Sequence, residues 1–422
     1  MSATGTFHPL SPPTTAQAHV PAVAGSILPA EPAIELSVVM PCLNEAETLA
    51  ACIENARAGI ARAGISAEII VADNGSTDGS IQIAEAMGAR VVHVAERGYG
   101  SALQGGIAGA RGRWIVMGDA DNSYDFTSIE LFVAKLREGN ELVMGCRFPS
   151  GGGTIVPGAM PWKNRWIGNP SLSFLGRLFF ALSARDLHCG LRAFSKDAYR
   201  RMELKTTGME FASEMVIKAA LRRMPVAEVP VTLRPDGRSR PPHLRPWRDG
   251  WRHLRFMLIY SPRWLFLIPG LLLASVGAVV STALTLAPLA IGTVWLDVGT
   301  LVVACMLLIV GLQLLAFGFF TKVFAVNEGL LPGDARLTRM VATFTVEKGV
   351  GLGTLLVAGG GALLLRALWM WGQASFGELH YSENLRRLVP ATTLIVTGLQ
   401  IVFSSFFMGV LALKTSARPP AE

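Results

Sequence analysis

The chain has 422 residues, of which 51% are hydrophobic and only 16% charged, with a mean hydropathy of +0.41. Soluble domains carry about 25% charged residues, so this deficit excludes a wholly soluble protein, and the apolar surplus excludes a disordered one. The net charge of +7 is compatible with nucleic acid, a membrane surface or an anionic substrate, and the length allows roughly two to four domains.

Residues 1–33 are rich in Pro, Ala and Thr and contain no Lys or Arg. They read as a disordered tail, not a signal peptide. Strand-like and helix-like segments then alternate. Glu35–Pro41 is a strand ending in proline, and Asn44, with Glu47 three residues on, predicts an N-cap and a helix over 45–63. A strand over Ala67–Asp73, a helix over Ser80–Met87, a strand over Arg90–Val94 and a helix over Ser101–Ala110 follow. Next come a strand over Trp114–Gly118, a helix over Thr127–Glu138, a strand over Glu141–Gly145 and a last strand before Arg234. This rhythm predicts a mostly parallel sheet with helices on both faces. Ligands of such sheets bind at the carboxyl ends of the strands.

Those ends carry Pro41-Cys42-Leu43-Asn44-Glu45, then Asp73-Asn74-Gly75-Ser76-Thr77-Asp78-Gly79, then Asp119-Ala120-Asp121-Asn122, then Cys146-Arg147. Singly, each is an ordinary turn or cap. Carboxylates collected at successive strand ends are instead a candidate site. A D-x-D pair such as Asp119 and Asp121 can hold a hard divalent cation whose other ligands are water and phosphate oxygens. Such a metal offsets the charge of a leaving nucleotide diphosphate. Asp73 can accept hydrogen bonds from a nucleobase, and Gly98 and Gly100 allow a ligand to approach the backbone closely. There is no P-loop, HExxH or GxSxG. The five scattered cysteines form no CxxC and point to a reducing compartment, without disulfides or zinc.

Two basic, aromatic stretches follow, 160–182 with Lys163, Arg165 and Arg177, and 234–263 with Arg234, Arg238, Arg240, Arg245, Arg248, Arg252 and Arg255. Both read as amphipathic helices on a membrane surface. For Arg248–Arg255 a plain lipid anchor is as good a reading as a substrate site. Glu210 and Glu214 read as solvated. Four apolar windows are long enough to span a bilayer, at Trp264–Leu286, Val298–Phe320, Val350–Trp371 and Ala391–Leu413. Gln313 and Gln400 within them read as interhelical hydrogen-bonding groups. Lys and Arg before the first span, between the second and third, and after the fourth place both termini and the soluble half in the cytoplasm, with Arg386 and Arg387 as an exception. A basic run abutting a span argues against nucleic acid, and the sequence allows a homo-oligomer.

The runs SVVMPCLNEAETL, VADNGSTDGS and GDADNSYDF resemble the family 2 glycosyltransferases with a GT-A fold over most of residues 35–150. ERGYGSALQGGIAGARG, MGCRF, DLHCGLRAF and EVPVTLRPDGRSR narrow the resemblance to polyprenyl-phosphate hexose synthases, of the dolichol-phosphate mannose or glucose synthase type. It implies an α/β GT-A, Rossmann-like catalytic domain over 34–240, a juxtamembrane segment over 241–263, four transmembrane helices over 264–413 and a cytoplasmic tail over 414–422. It implies inverting transfer of one hexose from UDP-glucose or GDP-mannose to a membrane polyprenyl phosphate. Pro41, Leu43, Glu45, Asp73, Asp119, Ala120 and Asp121 would bind the nucleotide sugar, and Asp119 and Asp121 would hold Mg2+ or Mn2+. Asp121, Arg147 and Arg234 would be catalytic, with Arg147, Arg234, Arg238 and Arg240 receiving the acceptor phosphate. Asp186, Cys189 and Arg192 match a family motif, with Asp186 orienting substrate or a loop, or serving the fold. Asn74 and Ser123 depart from residues common in the family, Asp and Gln respectively, which leaves the donor open. A processive polysaccharide synthase is the alternative, but Q-x-x-R-W is absent and no span precedes the soluble half. A non-enzymatic lipid carrier or flippase-like module is a second alternative, and the intact Asp119/Asp121 pair argues against it.

Overall fold

A computed structural model describes residues 33–239, 246–373, 375–377 and 381–412. The expected tail, Arg240, Arg245, Lys414 and Arg418 lie outside the described residues (of the tail only Ala33 is described).

In chain order the first half contains β1 (Leu36–Cys42), α1 (Leu49–Ala63), β2 (Ala67–Asp73), α2 (Ser80–Ala86), β3 (Arg90–His93), α3 (Tyr99–Gly109) and β4 (Trp114–Met117). It continues with α4 (Ile129–Arg137), β5 (Leu142–Cys146), β6 (Thr154–Ile155), α5 (Asn169–Phe180), β7 (Arg192–Ser195), α6 (Lys196–Met202), α7 (Phe211–Leu221), β8 (Val226–Pro230) and β9 (Thr232–Leu233). Seven strands form one sheet in the order β3-β2-β1-β4-β7-β5-β8. All neighbours are parallel except β7, which runs antiparallel to both β4 and β5. The alternation of side chains along a strand divides the core in two. Val38 and Met40 of β1 pack with α1 and α4 on one face, and Val39 packs with α3 on the other, where α6 and α7 also lie.

Two expectations change here. The first helix begins at Leu49, not at 45, because Asn44 adopts a left-handed φ of 59° and its Oδ1 accepts from the Thr77 N–H at 2.7 Å. Asn44 therefore ties two loops together and does not cap a helix. The second change is β7, a four-residue strand that carries the fully buried Arg192 and follows no hydrophobic alternation.

The second half contains α8 (Pro246–Ile259), α9 (Ile268–Leu286), a small hairpin of β10 (Leu289–Ile291) and β11 (Val294–Leu296), α10 (Val298–Asn327), α11 (Ala335–Thr343), α12 (Val346–Gln373) and α13 (Tyr381–Ala412). Four helices are long and apolar enough to cross a membrane: Arg263–Leu286, Val298–Asn327, Val346–Gln373 and Tyr381–Ala412. They cover the four windows read from sequence, the fourth as far as Ala412, the last described residue. Segment 160–182 contains α5, and Trp162, Trp166, Ile167, Phe174 and Leu178 are all exposed along it. That is the apolar face an interfacial helix needs.

Glycines let the long helices close on each other. A Cβ added to Gly353 of α12 would lie 2.6 Å from the Gly398 carbonyl oxygen of α13, and one added to Gly398 would lie 2.6 Å from that of Gly353. Close backbone approach through small residues is how helices associate in lipid. Gly398→Val is expected to lower the melting temperature in detergent, through overpacking worth about 1–3 kcal/mol. Gly359→Val, whose added Cβ would meet no atom within 4 Å, is expected to leave it unchanged. Equal shifts in the two variants would remove this account of the α12–α13 contact. At the far ends of the helices Arg386 pairs with Asp297, so one of the two cations that break the charge asymmetry is locally neutralised. Gln313 and Gln400 line one cavity between α10 and α13. The interhelical bond expected of Gln400 is not made through its Oε1, which is buried there without a partner among the described residues, as is the Thr397 hydroxyl.

Candidate active site

Parallel pairing sets Cys42 of β1 opposite Asp73 of β2, and Asp73 opposite His93 of β3. The loops after these strands therefore leave the sheet at one level. A cavity of about 530 Å³ opens at that edge. Its walls include Pro41, Cys42, Leu43, Glu45, Asn74, Arg97, Tyr99, Asp119, Ala120 and Asp121. Arg238 after the last strands, Gly208 and Met209 before α7, and Arg248 and Arg252 of α8 close it.

The D-x-D pair lies in this wall. Asp119 Oδ1 accepts from the Tyr99 hydroxyl at 2.9 Å. Loss of solvation, and then the charge of Asp121, push the Asp119 carboxyl up to about 7. Asp121 Oδ1 accepts from the backbone N–H and hydroxyl of Ser123, at 3.0 and 2.5 Å. Its Oδ2 accepts from Arg238 at 2.8 Å. Ser123 thus orients the aspartate, although it is shorter than the residue common at that position in the family it resembles. Arg238 also reaches Glu45 at 3.1 Å and Asp236 at 3.2 Å.

Other expected site residues are placed differently. Asp73 is buried and does not line the cavity. Its carboxylate accepts from the N–H groups of Gly75 and Ser76 at 3.1 and 3.0 Å and lies 3.6 Å from His93. Burial opposes its ionisation, but hydrogen bonds from Ser76 and Gly75 outweigh that and hold it below the usual carboxylate range. It shapes the loop, and its neighbour Asn74 faces the cavity. Asn74 Nδ2 donates to the Val94 and Glu96 carbonyls at 3.0 and 2.8 Å, and its Oδ1 accepts from the Gly98 N–H at 2.8 Å. Gly98 lines the cavity, and Gly98 and Gly100 also let protein approach closely: a Cβ on them would strike the backbone oxygens of Thr207 and Thr206 respectively.

Arg147 does not line the cavity either. It is buried and forked onto Asp186, with Nε to Oδ2 at 2.7 Å and Nη2 to Oδ1 at 2.8 Å, and its backbone N–H donates to the same carboxylate. Asp186 therefore holds an arginine and a loop, while Arg192 donates to the Cys189 and Leu187 carbonyls at 2.7 and 2.8 Å. Arg234 is half-exposed, pairs with Asp125 at 2.8 Å and lies outside the cavity wall. Arg240 lies outside the described residues. Of the four arginines expected at the acceptor phosphate, Arg238 alone of the described three is in the cavity.

Sequence reasoning missed Arg97 and Tyr99, and it treated Arg248 and Arg252 as an anchor no less than as a site. Their signal was the i, i+4 spacing, which puts both on one face of a helix. Glu214 is a correction. It is fully buried, not solvated: it accepts from Thr206 N and Oγ1 at 2.8 and 2.7 Å and from Lys218 Nζ at 2.8 Å. It thereby fixes the loop whose Thr206 and Thr207 carbonyls accept from Gln104 and Ser101 of α3. His188 stacks edge-on against His253 of α8 at 4.9 Å, and burial drives its pKa down to about 3.

The description "Glycosyl transferase family 2" matches residues 37–202, and "Glycosyltransferase family 2 C-terminal transmembrane region" matches residues 319–412. The low-salt glycan biosynthesis hexosyltransferase Agl6 of Haloferax volcanii is 36% identical over 377 residues, which cover 89% of each chain. A dolichyl-phosphate hexose transferase of the same organism is 29% identical over 201 residues, 47% of this chain and 83% of that protein. The crystal structure of glucosyl-3-phosphoglycerate synthase from Mycobacterium tuberculosis, in complex with Mn2+ and UDP-glucose, superposes with a TM-score of 0.42 at 24% identity, over 54% of this chain and 79% of that one. At that distance the likeness bears on neither site nor substrate.

Proposed function

Since the chain belongs to glycosyltransferase family 2 and is a hexosyltransferase with C-terminal transmembrane helices, we propose that it moves one hexose, with inversion, from a nucleotide sugar to a membrane polyprenyl phosphate. The observation that carries this reading is the composition of one cavity. Asp119 and Asp121, after a strand of the sheet, and Arg248 and Arg252 of α8, the helix that precedes the first membrane helix in the chain, line the same cavity. A site that joins a water-soluble anionic donor to a lipid phosphate needs both kinds of group in one cavity.

The donor set suits a hard cation. Burial and then the neighbouring charge of Asp121 raise the Asp119 carboxyl, so the pair favours added positive charge, and an all-oxygen pair favours Mg2+ or Mn2+. Asp119 and Asp121 would hold it, and when bound it supplies charge neutralisation to a leaving diphosphate. The chain's own groups do the rest. Pro41, Leu43 and Glu45 with Ala120 form the donor wall, and Tyr99 holds Asp119 in place. Arg97 and Arg238 add cations along the donor path. The acceptor role expected of Arg147 and Arg234 passes to Arg248 and Arg252, which line the cavity where those two do not.

A phosphate monoester has a second pKa near 6 and is largely dianionic at pH 7. It attacks without a strong general base, so the site's contribution is positioning and electrostatics. The soluble half and both termini would face the cytoplasm, where nucleotide sugars are found.

The test is a panel of labelled nucleotide hexoses offered to the purified protein in detergent with polyprenyl phosphate. Label from one donor is expected in the organic phase. Arg248→Ala with Arg252→Ala is expected to raise KM for the lipid about tenfold or more while leaving KM for the donor within twofold, since one lost charge-assisted contact is worth about 1.5–3 kcal/mol. No lipid-linked label from any donor would overturn the proposal.

A further inference from the structure

Arg238 sits where an added cation is wanted. Its side chain is 12% exposed, and its guanidinium bridges Asp121 at 2.8 Å, Glu45 at 3.1 Å and Asp236 at 3.2 Å. The arrangement leaves one group unsatisfied: Nε is buried and has no partner among the described residues. Asp119, the other carboxylate of the pair, takes a tyrosine hydroxyl and no such contact with Arg238. The segment that carries Arg238 is fastened by its backbone. Arg234 N donates to the Ser123 carbonyl at 2.9 Å and Gly237 N to the Asp121 carbonyl at 3.1 Å, and Ser239 N and Oγ donate to Glu47 at 2.8 and 2.6 Å. With the backbone held on both sides, the freedom left at this position is that of a long side chain.

We infer that Arg238 is a resident cation that holds Asp121 and Glu45 while the donor site is empty, and that it yields Asp121 to the divalent metal and turns to the donor diphosphate when donor arrives. The inference rests on the donor-and-metal reading above and adds an order to it. Free metal competes with Arg238 for Asp121 and binds weakly. Metal arriving with a nucleoside diphosphate binds well, because the diphosphate gives the displaced guanidinium a new anion and gives Nε an acceptor. An exchange of charges inside one site, with no net charge left bare, avoids the cost of stranding a buried ion. If the arginine holds the site in about nine of ten molecules, the apparent affinity for free metal is reduced about tenfold.

The experiment measures Mn2+ binding to the full-length protein in detergent by electron paramagnetic resonance of the free ion, with and without UDP or GDP. Without nucleotide, Arg238→Gln is expected to bind Mn2+ about tenfold more tightly than the parent, and Arg238→Lys to stay within threefold of it. With the nucleoside diphosphate that binds, the order reverses, and Arg238→Gln is weaker than the parent. A gain in affinity cannot come from a misfolded variant, and Arg238→Lys keeps the charge as a control. Arg238→Gln binding free Mn2+ no better than the parent would overturn the exchange while leaving the donor reading standing. Parent protein that takes up no Mn2+ even with UDP or GDP would overturn the donor reading and the exchange with it.

Discussion

Asp121→Asn is expected to lower hexosyl transfer by about two to three orders of magnitude, the usual effect of removing one electrostatic contact made to charge that develops in the transition state. The substitution keeps the size of the side chain and removes its charge. Asp121 stands at the cavity wall with one oxygen fixed by Ser123 and the other on Arg238, so the change reaches both the metal and the arginine. Because Asp121 is not part of the apolar core, the melting temperature is expected to move by no more than a few degrees. Initial rates with the accepted donor and polyprenyl phosphate check this. A variant that keeps a tenth or more of the parent rate would remove Asp121 from the reaction.

Asp186→Ala is expected to destabilise the soluble half by about 3–5 kcal/mol, the usual cost of breaking a buried pair and leaving one charge uncompensated. The Asp186 side chain is 0% exposed and Arg147 8%. Three hydrogen bonds between the two residues, one of them from the Arg147 backbone, would be lost at once. Replacing both, as Asp186→Ala with Arg147→Met, is expected to recover much of the loss, since an apolar pair can substitute for a buried ion pair. Chemical denaturation of the parent, Asp186→Ala, Arg147→Met and the double variant gives the coupling directly. A single-variant loss below 1 kcal/mol, or a double variant no better than the single, would show that the pair does not hold the loop after β5.

How far the sequence could be read depended on the range of the signal. The GT-A-like mixed α/β half followed by four long apolar helices was legible because its signals are local. The short β-branched apolar run LSVVMPC and the longer apolar runs from Trp264 onward are each visible within one window. The D-x-D pair was legible for the same reason, lying directly after a strand. Arg234 and Arg238 are four residues apart in sequence, and nothing local says which one turns inward. The answer depends on Asp125 and Asp121, more than a hundred residues earlier. Asn44 looked like a cap because its left-handed backbone is set by Thr77 in another loop. Glu214 looked solvated because the Lys205 and Thr206 amides that need it lie in the preceding turn, and Lys218 one helical turn on reads equally well as a surface pair. Asp73 kept its expected address at a strand end, but that its oxygens also accept from the loop it begins was not legible.

The central claim is that one cavity joins a water-soluble donor to a lipid phosphate once per turnover. It is tested most directly by the structure of the product formed from polyprenyl phosphate and the accepted donor, determined by mass spectrometry and by the anomeric coupling in nuclear magnetic resonance. A lipid bearing a single hexose through phosphate, with the anomeric configuration inverted from the donor, is the predicted result. A polymer, a retained anomer, or a sugar attached anywhere other than the lipid phosphate would contradict it.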